Sequence, residues 1–177
     1  MNILTLKFRC VDCNGLPQAR VCLDGKLVHD HEFTTLEQSL DIELHGTGDR
    51  VLTVERYNKQ RRNMVLHNER IVLDQILEIA DILVDGVSIP SLLLQEHCEF
   101  SWDNNTHRGS RYFGPNGTWT YCFSTPIITH LLDLKIAHES KYSQDYEFPW
   151  SNRLGPNSVQ EIISTIAEVE KKVHEVL

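Results

Sequence analysis

An all-β antiparallel β-sandwich of jelly-roll type, with an extended arm and a C-terminal α-helix after it, is the architecture this sequence predicts. Three observations point to it. Over the first two thirds of the chain, short apolar stretches alternate with polar residues at period two. Turn residues separate these stretches at close intervals. No strand–helix–strand alternation is visible, which argues against a doubly wound parallel sheet. About eight to ten short strands in residues 1–137 suit a sandwich.

The elements come in this order. Leu4, Leu6 and Phe8 alternate with Thr5, Lys7 and Arg9, giving a strand with one buried face. Asn14-Gly15-Leu16-Pro17 breaks the chain. Ala19–Leu23 and Leu27–Phe33 are strands joined at Asp24-Gly25, because both central positions of a tight primed turn need positive φ. Leu40, Ile42 and Leu44 form the next strand, and Val51–Tyr57 the one after. Residues 58–70 are polar and read as a loop. Ile71–Val84 reads as one or two strands, closed by Asp85-Gly86. Ile89–Leu94 leads past Pro90 into a strand at Cys98–Trp102. Residues 103–117 read as a polar loop, and Gly117–Phe123 as a strand. The pattern leaves Ile127–Ala137 undecided between helix and strand.

Composition narrows the function classes. The chain has 177 residues, 41% hydrophobic and 24% charged, as a globular protein has. The net charge of -8 argues against nucleic acid as a partner, which needs basic surface. No apolar run approaches the roughly 20 residues that span a bilayer, so no membrane partner is expected. The opening MNILTLKFRC lacks a basic segment followed by an apolar one, so no secretion signal is expected. Five cysteines, an odd number, read as reduced thiols.

Residues 138–157 differ in kind: polar, Pro- and Gly-containing, without periodicity. Tyr142, Tyr146, Phe148 and Trp150 among them suggest an arm docked on a neighbour. Residues 158–177 then open with Ser158-Val159-Gln160-Glu161, a capping box. Val159, Ile162, Ile166, Val169, Val173 and Val176 are spaced at steps of 3, 4, 3, 4 and 3, the seam of a coiled coil. β-Branched residues throughout the seam disfavour a parallel dimer and shift preference toward three or four strands, of which a trimer is expected. Ile163, Ala167 and Leu177 widen the stripe and fit a helix packed on its own sandwich instead.

Few constellations carry chemistry. Cys10-Val11-Asp12-Cys13 is at most half of a zinc site. His29 and His31 share one strand face. Calcium is possible, with Asp24, Asp30, Asp49, Asp74, Asp81 and Asp85 near turns and strand ends, although turn-capping explains such residues equally. No nucleophile elbow, zinc-protease motif or phosphate-binding loop is present. Glu96, Glu99 and Asp103 could supply a glycosidase-type carboxylate pair. Trp102, Asp103, Arg111, Tyr112 and Trp119 mix flat rings with polar groups. That mix suits a sugar, a protein interface or, for the alternating Trp119, Tyr121 and Phe123, a core.

The stretches LDGKLVHDHEF, LDIELHG, IADILVDGVSIPSLLL and GPNGTWTYCFSTPI, in that order, resemble a jelly-roll module of accessory virion proteins of tailed bacteriophages. That module is similar in turn to calcium-dependent carbohydrate-binding modules. The matching motifs run from Ile82 to Pro90 and from Gly114 to Phe123, and the resemblance spans about residues 19–135. It implies a structural or binding role without turnover. The expected role is a virion component made in the host cytoplasm, on a phage head or tail. Its expected partners are its own copies as a trimer, other virion proteins and a host surface glycan.

Overall fold

The computed structural model describes residues 2–143. The chain divides into two compact units, Met1–Leu134 and Lys135–Leu177. The first is the sandwich. Its strands are β1 (Asn2–Val11), β2 (Gln18–Leu23), β3 (Lys26–Glu32), β4 (Glu37–Leu44), β5 (Gly48–Tyr57), β6 (Met64–His67) and β7 (Arg70–Asp74). Then come β8 (Ile76–Val84), β9 (Val87–Ser88), a short helix α1 (Ser91–His97), β10 (Cys98–Trp102), β11 (Asn105–Arg108), β12 (Tyr112–Phe113) and β13 (Gly117–Thr125). Helix α2 (Ile127–Ser143) closes the described part and runs past the boundary between the units.

One sheet has the order β12-β8-β1-β4, with β9 folded back on β8. The other has the order β11-β10-β13-β5-β2-β3, and β6 and β7 form a separate hairpin. Every pairing among the described residues is antiparallel. Leu4, Leu6, Phe8 and Cys10 of β1 join Leu52 and Val54 of β5 and Trp119, Tyr121 and Phe123 of β13 within one continuous core. The outward residues of β1 meet charge instead. Thr5 donates to Asp41 at 2.6 Å, and Lys7 and Arg9 pair with Asp81 at 3.4 Å and Glu78 at 3.3 Å. These half-exposed contacts contribute little, about 0–1 kcal/mol each. The fold therefore rests on alternation, which commits every other side chain to the core.

The tight turns are built by residues that tolerate positive φ. Asp24-Gly25, Asn68-Glu69, Asp85-Gly86 and Asp103-Asn104 each place both central residues there. The aspartates also cap the neighbouring backbone. Asp24 accepts from Val51 N at 2.9 Å, and Asp85 accepts from Ile3 N at 2.8 Å.

The structure corrects several expectations. The stretch 58–70, read as loop, enters the β6–β7 hairpin. Val65, Leu66, Ile71, Val72 and Leu73 are all exposed there, so no buried face marks the strands. The stretch 103–117 holds β11 and β12, two short pieces whose residues are mostly polar. Ser91–His97 is a helix, and Ile127–Ala137 is helical too. Residues 138–143, placed in the arm, continue α2. The rest of the arm, with Tyr146, Phe148 and Trp150, lies outside the described residues. So does the whole heptad segment 158–177.

The aromatic residues form a column through the core. Trp102 stacks on Phe100 at 5.3 Å, Phe100 on Phe113 at 5.0 Å, and Phe113 leads to Trp119 at 6.3 Å. Trp119 then meets Tyr121 at 6.0 Å, and Tyr121 meets Phe123 at 6.1 Å. Offset rings at such spacings add about 0.5–1.5 kcal/mol per pair beyond the area they bury.

Candidate functional site

The five residues read from the sequence as ligand contacts do not form one cluster. Trp119 is fully buried, and its indole N–H donates to Ser110 O at 3.0 Å. A molecule on the surface does not reach it, so that expectation is corrected: Trp119 is core. Trp102 is half-buried at the end of the aromatic column. Arg111 and Tyr112 stand at the other sheet. Arg111 donates to Ala80 O at 3.3 Å, and its carbonyl accepts from Ile79 N at 3.0 Å. Tyr112 is exposed and pairs with Glu78 across β8.

Asp103 lies elsewhere, at the tip of the β10–β11 hairpin, and lines a groove of about 630 Å³. Lys59, Met64, Ile71, Asp74 and Asn116 are among the other lining residues. Three chain segments join Asp103 in this groove: the connection after β5, the β6–β7 hairpin and the loop between β12 and β13. Pockets that hold small molecules fall in this size range and mix apolar walls with a few polar groups. Here Met64, Ile71 and Pro115 supply the apolar part.

The segments are tied together at the groove floor. Asn116 Oδ1 accepts from Lys59 N at 2.8 Å, and Asn116 Nδ2 donates back to Lys59 O at 3.2 Å. Lys59 Nζ donates to Asp74 Oδ1 at 2.5 Å and to Gly114 O at 2.6 Å. Its side chain is 7% exposed and that of Asp74 17%, so this ion pair is largely shielded from solvent. Beneath them lies Arg56, 1% exposed. It donates to Phe113 O, to Gly114 O at 2.6 Å, and to both Gln75 O and Gln75 Oε1 at 2.8 Å. Burial pulls the Arg56 guanidinium down to about 10, with Asp74 opposing the shift. The neighbouring Cys10 thiol is pushed up to about 12 by burial, against the pull of Arg56, so it stays protonated and unreactive.

Sequence reasoning missed Arg56 and Lys59. A signal was present for the first. Leu52, Val54 and Arg56 share the inward phase of β5, so a charged residue stood where the pattern asks for an apolar one.

Asp103 is different from Asp74. Its carboxylate accepts no hydrogen bond and makes no ion pair among the described residues, so it is open to a ligand. Of the carboxylates considered for catalysis, Glu99 lies on β10 and Asp103 just beyond its end. The Glu99 carboxylate also accepts from Arg108 Nε at 2.9 Å, and Glu96 lies on α1.

Among the described residues, no group of three or more His, Cys, Asp or Glu side chains could hold a metal ion. Cys10 and Cys13 are both buried free thiols. Calcium needs about six to eight oxygen ligands. The oxygens gathered at the groove floor already accept from Arg56 and Lys59, so this floor does not fit that ion.

No family model matches the chain, and no curated protein does. Two solved structures are similar in fold. One is the selenomethionine form of vCBM60, described with a circular permutation that links two families of calcium-dependent carbohydrate-binding modules. It has a TM-score of 0.47 and 17% identity over 68% of this chain and 90% of that chain. The other is vCBM60 in complex with galactobiose, with a TM-score of 0.46 and 16% identity over 67% of this chain and 96% of that chain.

Proposed function

We propose that this chain is a non-enzymatic glycan-binding sandwich, displayed on a phage particle as a head or tail component. The observation that carries the binding role is the end groove. It sets the unpaired Asp103 carboxylate beside apolar walls, above a floor fixed by buried hydrogen bonds. A carboxylate of that kind accepts from two sugar hydroxyls, while Met64, Ile71 and Pro115 offer surface to the C–H faces of the ring. Catalysis is not part of the reading, because Asp74, the other carboxylate in the groove, is held by Lys59. The virion setting is supported by the sequence resemblance across Ile82–Pro90 and Gly114–Phe123. In this setting the C-terminal seam would join copies into a trimer, and weak single sites would gain avidity from being on one particle.

The test is binding of the full chain to an array of bacterial surface and plant glycans, then titration of the best binder. Asp103→Asn keeps a residue that tolerates the positive φ of this turn and removes only the charge. Hydrogen bonds to a charged group contribute about 1.5–3 kcal/mol, so affinity should fall roughly 10- to 100-fold. A chain that retains no glycan, or an Asp103→Asn variant that binds as tightly as the native chain, would refute the reading.

A further inference from the structure

The resemblance implies calcium, and the groove floor holds the kind of oxygens that calcium takes. Phe113 O, Gly114 O, Gln75 O, Gln75 Oε1 and Asp74 Oδ1 converge there. Backbone carbonyls, a side-chain amide and a carboxylate are hard ligands of this type. In this chain all of them receive N–H donors from two residues, Arg56 and Lys59, and the Gly114 carbonyl is shared between both.

We infer that Arg56 and Lys59 act as built-in cations that replace a divalent ion, so that this end of the sandwich is organised without metal. Three physical points support the assignment. First, the N···O distances of 2.8 Å from Arg56 to Gln75 O and Gln75 Oε1 are those of charge-assisted hydrogen bonds, and Gly114 O and Asp74 Oδ1 also accept from these cations. Second, the charge at the floor is already supplied: two fixed cations stand beside the Asp74 carboxylate, and Asp103 is the only other described carboxylate lining the groove. A calcium ion added among them would be repelled by both in a place with little water to screen it. Third, Arg56 cannot step aside. It is 1% exposed and spans two chain segments, 113–114 and Gln75, which Lys59 also joins through Gly114 and Asp74. A covalently attached cation has a further consequence. It is present in every molecule at every calcium concentration, so the groove keeps its shape in media where a calcium site would empty. This role in holding the loops is independent of whether the groove takes a glycan.

The experiment uses the full chain. Thermal unfolding is monitored in EDTA and in millimolar CaCl2, and CaCl2 is titrated calorimetrically. The expected result is the same midpoint in both buffers and no saturable heat. A midpoint that rises with calcium, and whose rise is lost in Asp74→Asn, would overturn the inference. A rise that persists in Asp74→Asn would place the ion elsewhere and leave this cluster as inferred. Lys59→Met in EDTA should lower the midpoint by about 5–10 °C, and Lys59→Arg, which keeps the cation, should recover much of the loss. Lys59→Met melting with the native chain, or Lys59→Arg melting with Lys59→Met, would also overturn the inference. Should Lys59→Met fail to fold, the native-chain titration decides alone.

Discussion

Arg56→Met tests the groove floor most directly. The substitution keeps an unbranched apolar stem of similar length and removes every donor. Four hydrogen bonds vanish, to Phe113 O, Gly114 O, Gln75 O and Gln75 Oε1. Bonds from a charged donor contribute about 1.5–3 kcal/mol each, so the gross loss is on the order of 6–12 kcal/mol. Against this stands the cost of burying the guanidinium, which the variant no longer bears and which is several kcal/mol for a buried ion. The net expectation is a destabilisation of about 2–4 kcal/mol, the range seen when one partner of a buried charged network is removed. For a folded unit of this size each kcal/mol moves the midpoint by about 4 °C, so Tm should fall by roughly 8–16 °C. Urea unfolding monitored by tryptophan fluorescence gives the free energy, since Trp119 sits in the core. Arg56→Lys should lie between the native chain and Arg56→Met, because an ammonium has three donors on one atom where the planar guanidinium makes four bonds. A loss below about 0.5 kcal/mol, the level of an ordinary surface change, would refute the reasoning. It would mean that water serves those carbonyls as well as the guanidinium does.

Other expectations are quicker to test. In Gly117→Ala the new Cβ would lie 2.5 Å from Ser101 O and 2.8 Å from Phe100 Cζ. The β10–β13 pairing must shift, at a cost of about 1–3 kcal/mol read from the urea midpoint; an unchanged midpoint would show that β10 gives way freely. His130 is held between Ser124 Oγ at 3.2 Å and Tyr121 Oη at 3.4 Å. Burial, helped by His97 and opposed by Asp133 and Asp49, lowers its pKa below the unfolded value. The unfolded chain therefore binds this proton first. Stability should fall as pH drops from about 6.5 toward the lower folded value and then level off, and His130→Gln should flatten that slope. Light scattering on the full chain and on a chain ending at Asn157 tests the seam. A trimer that becomes a monomer on truncation supports it, whereas a full-length monomer moves the weight to a lone glycan-binding module.

The sandwich was legible where burial tracks parity. In β1, β2, β4, β5 and β13 one face is core and the other is water or charge, so the period of two is written into the residue types. Strand β6 was not legible because its apolar Val65 and Leu66 are exposed, which erases the contrast that a period requires, whereas β7 falls within the Ile71–Val84 stretch read as strands. Likewise β11 and β12 are short and mostly polar, and their pairing depends on partners in β10 and β8. Helix α2 was undecided for a similar reason. Ile128, Leu132 and Ile136 are exposed while Ile127 is buried, so apolar residues occur on more than one side.

The site was less legible than the fold, and the reason is the dual use of aromatic and charged residues. An aromatic-rich segment reads as a platform for a ligand, yet Phe100, Phe113, Trp119 and Tyr121 are used up by stacking on one another. What remains for a ligand is Asp103, a residue placed by its turn, with its carboxylate left open. Charged residues mislead in the opposite direction. Arg56 and Lys59 look like solvated surface by residue type alone, and both are buried at the point where three chain segments meet. The useful sign is a conflict between residue type and strand phase. A cation on the inward phase of a strand must find oxygens, those oxygens must come from loops at the strand's end, and loops gathered around one cation form a wall. In β5 these requirements link Arg56 to Gln75, Phe113 and Gly114, and they lead to the groove without reference to any ligand.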